Sequence, residues 1–259
     1  MTVEPRISLE VARLLTAGSP SQPGFIRNPS ALVAVGLGVL LIALAVVIRL
    51  APDSGAESSL MEWMRSRNAP RLYGFMESVS GFTGNPGLML APVVTLALLA
   101  LGRVRDAVIF LVVGAIVAVG VYATDFTLGE IAGRGRPLPW ETRPSYPSGH
   151  TSGSTWFFIF VMFLVARSSL HDLGKGGVVG VLTTLIVFVG FSRVFLHRHW
   201  PLDVVGGYAL GALGALAAIW LFEALRESNP IDNLIRRVRT GSVIRSVIRS
   251  GSQQSGQAG

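Results

Sequence analysis

Three short runs in the second half of this chain gather residue types suited to handling a phosphate ester. They are Gly133-Arg134-Gly135-Arg136-Pro137, then Pro147-Ser148-Gly149-His150, then Ser192-Arg193 followed by His199 and Asp203. Arginine presents a planar fork of donors that matches phosphate oxygens and keeps its charge at any physiological pH. Arg136 and Arg193 together would offset most of a phosphate dianion. Ser148 and Gly149 stand just before an apolar helical stretch, where backbone N–H groups and the helix dipole favour an anion. Gly149 has no side chain to hold the backbone away from it. His150, at the start of that helix, can donate a proton to a leaving alkoxide. His199 precedes Asp203 by four residues, a spacing that lets the carboxylate accept the imidazole N–H. That bond would set the tautomer and leave the other ring nitrogen free to attack phosphorus, with Asp203 stabilising the positive ring as in a catalytic triad.

Each run also has a plainer reading. An Arg-x-Arg-Pro turn is commonly a solvated basic loop, Ser148 could simply cap a helix, and Asp203 could simply oppose a helix dipole. Their shared position at the ends of successive apolar segments favours one site. His197 has no acidic residue four positions on and reads as an interfacial neighbour. His171 reads as ordinary surface.

The elements that must position these runs are apolar. Half of the 259 residues are hydrophobic, only 14% are charged, and the mean hydropathy is +0.54, whereas soluble domains carry about 25% charged residues. Crossing a bilayer takes about 20 apolar residues as a helix. Candidate spans are Ala31 to Ile48, Leu88 to Leu101 extended back through Pro86, Ala107 to Tyr122, Thr151 to Ala166, Val178 to Phe195, and Val204 to Phe222. The expected fold is therefore all-α, a polytopic membrane protein with six transmembrane helices. Its expected divisions are a cytoplasmic N-terminal segment (1–30), a transmembrane domain (31–223) and a basic, partly disordered cytoplasmic tail (224–259). The first span is longer than the apolar core of a signal peptide and is expected to remain as an anchor.

Six spans put both termini on one side. Basic loops near helix ends stay in the cytoplasm, and with the N-terminus inside, thirteen of the 22 basic residues are cytoplasmic and nine are outside. All three runs then fall on the outer face, where the loops 123–149 and 196–203 meet. The outer stretch Leu60 to Arg65 reads as a short amphipathic helix along the interface. The net charge of +7 is almost wholly arginine and suits an anionic membrane surface. Aromatic-and-basic interleaving of the nucleic-acid-binding kind is missing, so no nucleic-acid partner is expected. There are no cysteines, hence no disulfide framework and no thiolate metal site.

In type, order and spacing the runs resemble the signature of the type 2 phosphatidic acid phosphatase and vanadium haloperoxidase superfamily, in its membrane lipid phosphatase branch. The resemblance implies that His199 forms a phosphohistidine, Asp203 orients it and His150 protonates the leaving group. It likewise implies that Arg136, Arg193, Ser148 and Gly149 bind phosphate, with no metal or cofactor. The implied activity is hydrolysis of a lipid phosphomonoester or pyrophosphate, such as a prenyl diphosphate, phosphatidic acid or phosphatidylglycerol phosphate. A vanadate-dependent haloperoxidase and a non-enzymatic lipid transporter are the alternatives. One position departs from the pattern: seven residues before Arg136 the family has lysine, and this chain has Gly129. Arg134 is the expected substitute cation, in which case lysine restored at 129 should be tolerated.

Overall fold

The computed structural model describes residues 29–228, apart from 53–54, 67–69, 83–85 and 139. Most of the expected N-terminal segment, and the tail from residue 229, lie outside the described residues. Those described are helical, without strands. In chain order the helices are α1 (Pro29–Leu50), α2 (Gly55–Ser66), α3 (Pro70–Phe82), α4 (Pro86–Ala100), α5 (Val104–Ala132), α6 (Gly149–Ala166), α7 (Asp172–Phe195) and α8 (Pro201–Glu227).

Five of these, α1, α5, α6, α7 and α8, are long and apolar enough to cross a membrane. Helix α4 starts at Pro86, as its sequence suggests, and contains Pro92. Its 15 residues rise only ~22 Å at 1.5 Å each, short of the ~30 Å hydrocarbon core. Leu32, Val39 and Ile42 on α1 and Val119 and Tyr122 on α5 are exposed, as side chains facing lipid would be.

Helix α5 outruns its expected span by ten residues. Nothing between Thr124 and Ala132 breaks a helix, and the stop comes at Gly133, whose φ of 60° closes the last turn with an N–H bond to the Gly129 carbonyl. Gly129 and Asp125 therefore sit on helix rather than in a loop. Pro201 opens α8 with its preset φ, and Asp203 in the first turn accepts the backbone N–H of Trp200 at 2.8 Å. His171 is more than plain surface: its Nδ1 accepts the Gly174 N–H at 3.0 Å and so caps α7.

Helices α6 and α8 pack closely because α8 presents glycine at 207, 211 and 214. A methyl group at Gly207 would lie 2.8 Å from the Ser148 carbonyl oxygen, and one at Gly211 would lie 2.5 Å from Cβ of Thr155. Small residues at such a seam let helix backbones approach in an apolar medium. This seam brings the start of α6, with His150, beside the start of α8, with Asp203. At the opposite end the rings of Phe160, Phe163 and Phe222 pack edge-to-face and stacked. Helix α2 turns Glu57, Met61 and Met64 inward; the methionines pack with Val194 and Val204. That inward stripe is the amphipathic pattern read from Leu60 to Arg65.

Candidate active site

The segment from Gly133 to Ser148 folds back over the start of α8 and is stitched to it. The Ser148 N–H donates to the Asp203 carbonyl at 2.9 Å, and the Ser145 N–H donates to the Arg134 carbonyl at 2.8 Å. The Tyr146 hydroxyl reaches across to the Leu41 carbonyl on α1 at 2.7 Å. The first of these bonds holds the second sequence run against the third, and the other two tie the segment to the first run and to α1.

His199 lies in this seam and is 1% exposed. Its Nδ1 is 2.7 Å from the Ser145 carbonyl oxygen and 3.7 Å from Oδ2 of Asp203. A carbonyl only accepts, so Nδ1 carries the hydrogen and Nε2 keeps its lone pair. Burial holds the imidazole below its ordinary value against the opposing pull of Asp203, and the positive Arg136 and Arg193 push in the same direction as burial. The ring is thus kept neutral, as attack on phosphorus requires.

Asp203 does not spend its carboxylate mainly on His199, as the four-residue spacing suggested. Its Oδ2 accepts the Ser145 hydroxyl and the Trp200 N–H, and Oδ1 accepts from Arg134 at 3.3 Å. Arg134, in turn, is drawn away from the phosphate role expected of it. It is 3% exposed, pairs with Glu57, donates to the Pro52 carbonyl at 3.1 Å, and lies 4.9 Å over the Trp200 ring. Two buried carboxylates within reach attract a guanidinium more strongly than an open cavity does. Ser148 also departs from expectation. Its N–H is committed to Asp203, and its hydroxyl accepts from Thr151 at 3.0 Å.

A cavity of about 1360 Å³ brings together His199, His150, Gly149, Arg136 and Arg193, and Arg134 and Ser148 do not line it. One of its walls is apolar, with Phe110, Leu111, Val121 and Phe126 from α5 and Trp156 and Phe157 from α6. That wall suits an acyl or prenyl chain, and the charged end suits its headgroup. Nε of Arg193 is buried without a partner, while its terminal nitrogen donates to the Ser80 hydroxyl on α3.

Several lining residues were not singled out from sequence, among them Glu141, Asp125 and Arg198. Glu141 accepts from Arg136 at 2.6 Å and from Arg198 at 2.5 Å. Burial raises the Glu141 carboxyl, but the bonds and charges of Arg198 and Arg136 outweigh it and hold it below its usual value. Asp125 lies beside Gly149, and its Oδ1 is buried without a hydrogen bond. An acid so near an apolar span was the available signal for Asp125. For Arg198 it was adjacency to His199. Glu141 had none. His197, read as interfacial, is buried with φ at 56°, and its Nε2 contacts the Met61 carbonyl at 3.2 Å. It braces the turn before His199 and does not line the cavity.

Residues 123–227, from the last turns of α5 through α8, match the PAP2 superfamily model and include all three runs. Over these residues the chain is similar to the PAP2 superfamily. It is 27% identical over 160 residues to a putative undecaprenyl-diphosphatase of Escherichia coli, covering 58% of this chain and 76% of that protein. Against phosphatidylglycerophosphatase B of Bacillus subtilis the identity is 36% over 78 residues, 30% of this chain and 38% of the relative. An undecaprenyl-diphosphatase of Sulfolobus acidocaldarius is 30% identical over 133 residues, 46% of this chain and 57% of the relative. The crystal structure of a transmembrane PAP2 type phosphatidylglycerolphosphate phosphatase from B. subtilis superposes with a TM-score of 0.64, covering 75% of this chain and 96% of that one at 22% identity. At that identity the superposition speaks for the fold. With five membrane-length helices and a transmembrane neighbour of the same fold, this chain is a multi-pass membrane protein.

Proposed function

We propose that this chain is a membrane lipid phosphatase that hydrolyses a phosphomonoester or pyrophosphate of a lipid through a phosphohistidine. The observation that carries the reading is one cavity joining His199, His150, Arg136 and Arg193 to an apolar wall. The PAP2 match and relatives named as lipid phosphatases support the same activity. Nε2 of His199 attacks phosphorus while the bond to the lipid oxygen breaks, and His150 gives that oxygen its proton. Arg136 and Arg193 neutralise the charge on the equatorial oxygens, which is where positioned cations act most strongly. His150 then takes a proton from the water that attacks the phosphohistidine, releasing inorganic phosphate and free His199.

In this reading α4 is the sixth span, both termini are cytoplasmic, and the cavity opens on the outer face. The substrate carries an undecaprenyl or other prenyl diphosphate, a phosphatidylglycerol phosphate or a phosphatidic acid headgroup. Quenching turnover of a ³²P-labelled substrate should leave acid-labile, base-stable phosphate on the protein, and His199→Ala should remove both label and activity. Label or turnover persisting in that variant would overturn the assignment. A panel of these lipids, assayed for released phosphate, selects the substrate.

A further inference from the structure

Position 129, where the resemblance expects a lysine, has little room for one. A Cβ at Gly129 would come 3.1 Å from both Cβ of Pro144 and the Tyr146 carbonyl oxygen. The nearby alternative, Arg134, is locked between Glu57 and Asp203. The cavity is nevertheless lined by two further arginines, Arg143 and Arg198, and Arg198 stands immediately before His199. Its backbone N–H bonds to the Arg193 carbonyl at 3.0 Å, which fixes its Cα in the turn that also holds His199. Its side chain is 34% exposed, open enough for a ligand to reach.

Arg198 and Arg136 are held side by side by one carboxylate, each donating to a different oxygen of Glu141. Two guanidiniums converging on a pair of oxygens is also how arginines hold a phosphate. We propose that Arg198 is the third cation of the phosphate site, replacing the lysine missing at 129, and that Glu141 keeps Arg198 and Arg136 paired toward the bound anion. The proposal deepens the phosphatase reading and rests on it for the identity of the anion. The positive set becomes Arg136, Arg193 and Arg198, with Arg198 approaching from the α7–α8 turn instead of from α5.

The test uses the full chain in detergent micelles, with inorganic orthophosphate as the probe. Its affinity is read by thermal shift and by competitive inhibition of phosphate release from a lipid monophosphate. Arg198→Ala should weaken orthophosphate binding about tenfold or more, the loss expected for one charge-assisted contact, and raise KM more than it lowers kcat. Arg198→Lys should recover most of the affinity. The decisive arm is Glu141→Gln. If Arg198 touches the anion, Arg198→Ala still weakens binding in that background. If Arg198 only neutralises Glu141, the loss vanishes there and the proposal fails. Unchanged affinity in Arg198→Ala itself also overturns it. Absence of turnover in the unaltered chain, with orthophosphate binding still dependent on Arg198, would instead sink the phosphatase reading and leave the anion site standing.

Discussion

Nδ1 of His199 is 2.7 Å from the backbone carbonyl of Ser145, while the carboxylate of Asp203 stands off at 3.7 Å. The tautomer is therefore held by a main-chain group that no side-chain substitution removes. Asp203 contributes negative charge near the ring and ties Ser145, Trp200 and Arg134 together. Asp203→Asn should thus lower kcat by clearly less than the ~10⁴-fold seen in a triad whose tautomer is lost. It should also lower Tm, because Arg134 loses a buried partner. Steady-state kinetics and a melting curve on the same preparation check both. A ~10⁴-fold loss with unchanged Tm would return the orienting role to Asp203.

Burial holds the His199 imidazole below its ordinary value of about 6.5. A nucleophile is active when unprotonated, so the acid limb of kcat/KM from this group should fall below pH 6.5. The stability effect has the same sign. As pH drops, the unfolded chain binds the proton first, so stability is intact above about pH 6.5 and declines as pH falls from there toward the folded-state value. Profiles of kcat/KM and Tm between pH 5 and 8 measure the two. An acid limb at or above 6.5 contradicts the buried neutral ring.

Much of this was legible in the sequence, for physical reasons that can be named. Membrane-length apolar runs stand out because a bilayer imposes length and composition together, so α1, α6, α7 and α8 lie where the hydropathy puts them. His199, His150, Arg136 and Arg193, which line one cavity, were legible as a group because their residue types and local spacing single them out. The directions taken by Arg134 and Asp203 were not. Arg134 is claimed by Glu57, 77 positions earlier, and Asp203 by Ser145, 58 positions earlier. Local spacing contains no information about such partners. The end of α5 was misplaced because the Gly, Pro and Arg content of 123–149 reads as loop throughout, although the helix runs on to its stop at Gly133.

Arg134→Ala should act on folding. The substitution leaves Glu57 and Asp203 buried without their cation, a change that costs about 3–5 kcal/mol when one member of a buried pair is removed. Tm should drop sharply, while the orthophosphate affinity of the remaining folded protein should stay near that of the unaltered chain. A phosphate affinity loss at normal Tm would restore Arg134 to the anion site.

Gly129→Lys was expected from sequence to be tolerated. The 3.1 Å approaches of Pro144 and the Tyr146 carbonyl argue otherwise. Any side chain there presses on the segment that carries Ser145 and hence on His199. Gly129→Ala isolates this steric part and should already reduce kcat. Gly129→Lys should reduce it at least as much, with no compensating fall in KM. A lysine variant with improved kcat/KM would show that the segment yields and that the lost cation still limits the site.

The orientation of the chain is open to a direct chemical test, because the protein has no cysteine of its own. Ser145 is fully buried, so a thiol there would stay silent on either side of the membrane. Thr142 is exposed in the same segment, and Ser169 is exposed between α6 and α7. These two positions lie at opposite ends of α6, an 18-residue helix about 27 Å long, so they must face opposite sides if α6 spans. On the thirteen-to-nine bias of basic residues, Ser169 is expected inside. Thr142→Cys should therefore react with a membrane-impermeant maleimide in intact cells, and Ser169→Cys only after permeabilisation. The reverse pattern would move the cavity to the cytoplasmic face, and labelling of both in intact cells would deny that α6 crosses the bilayer.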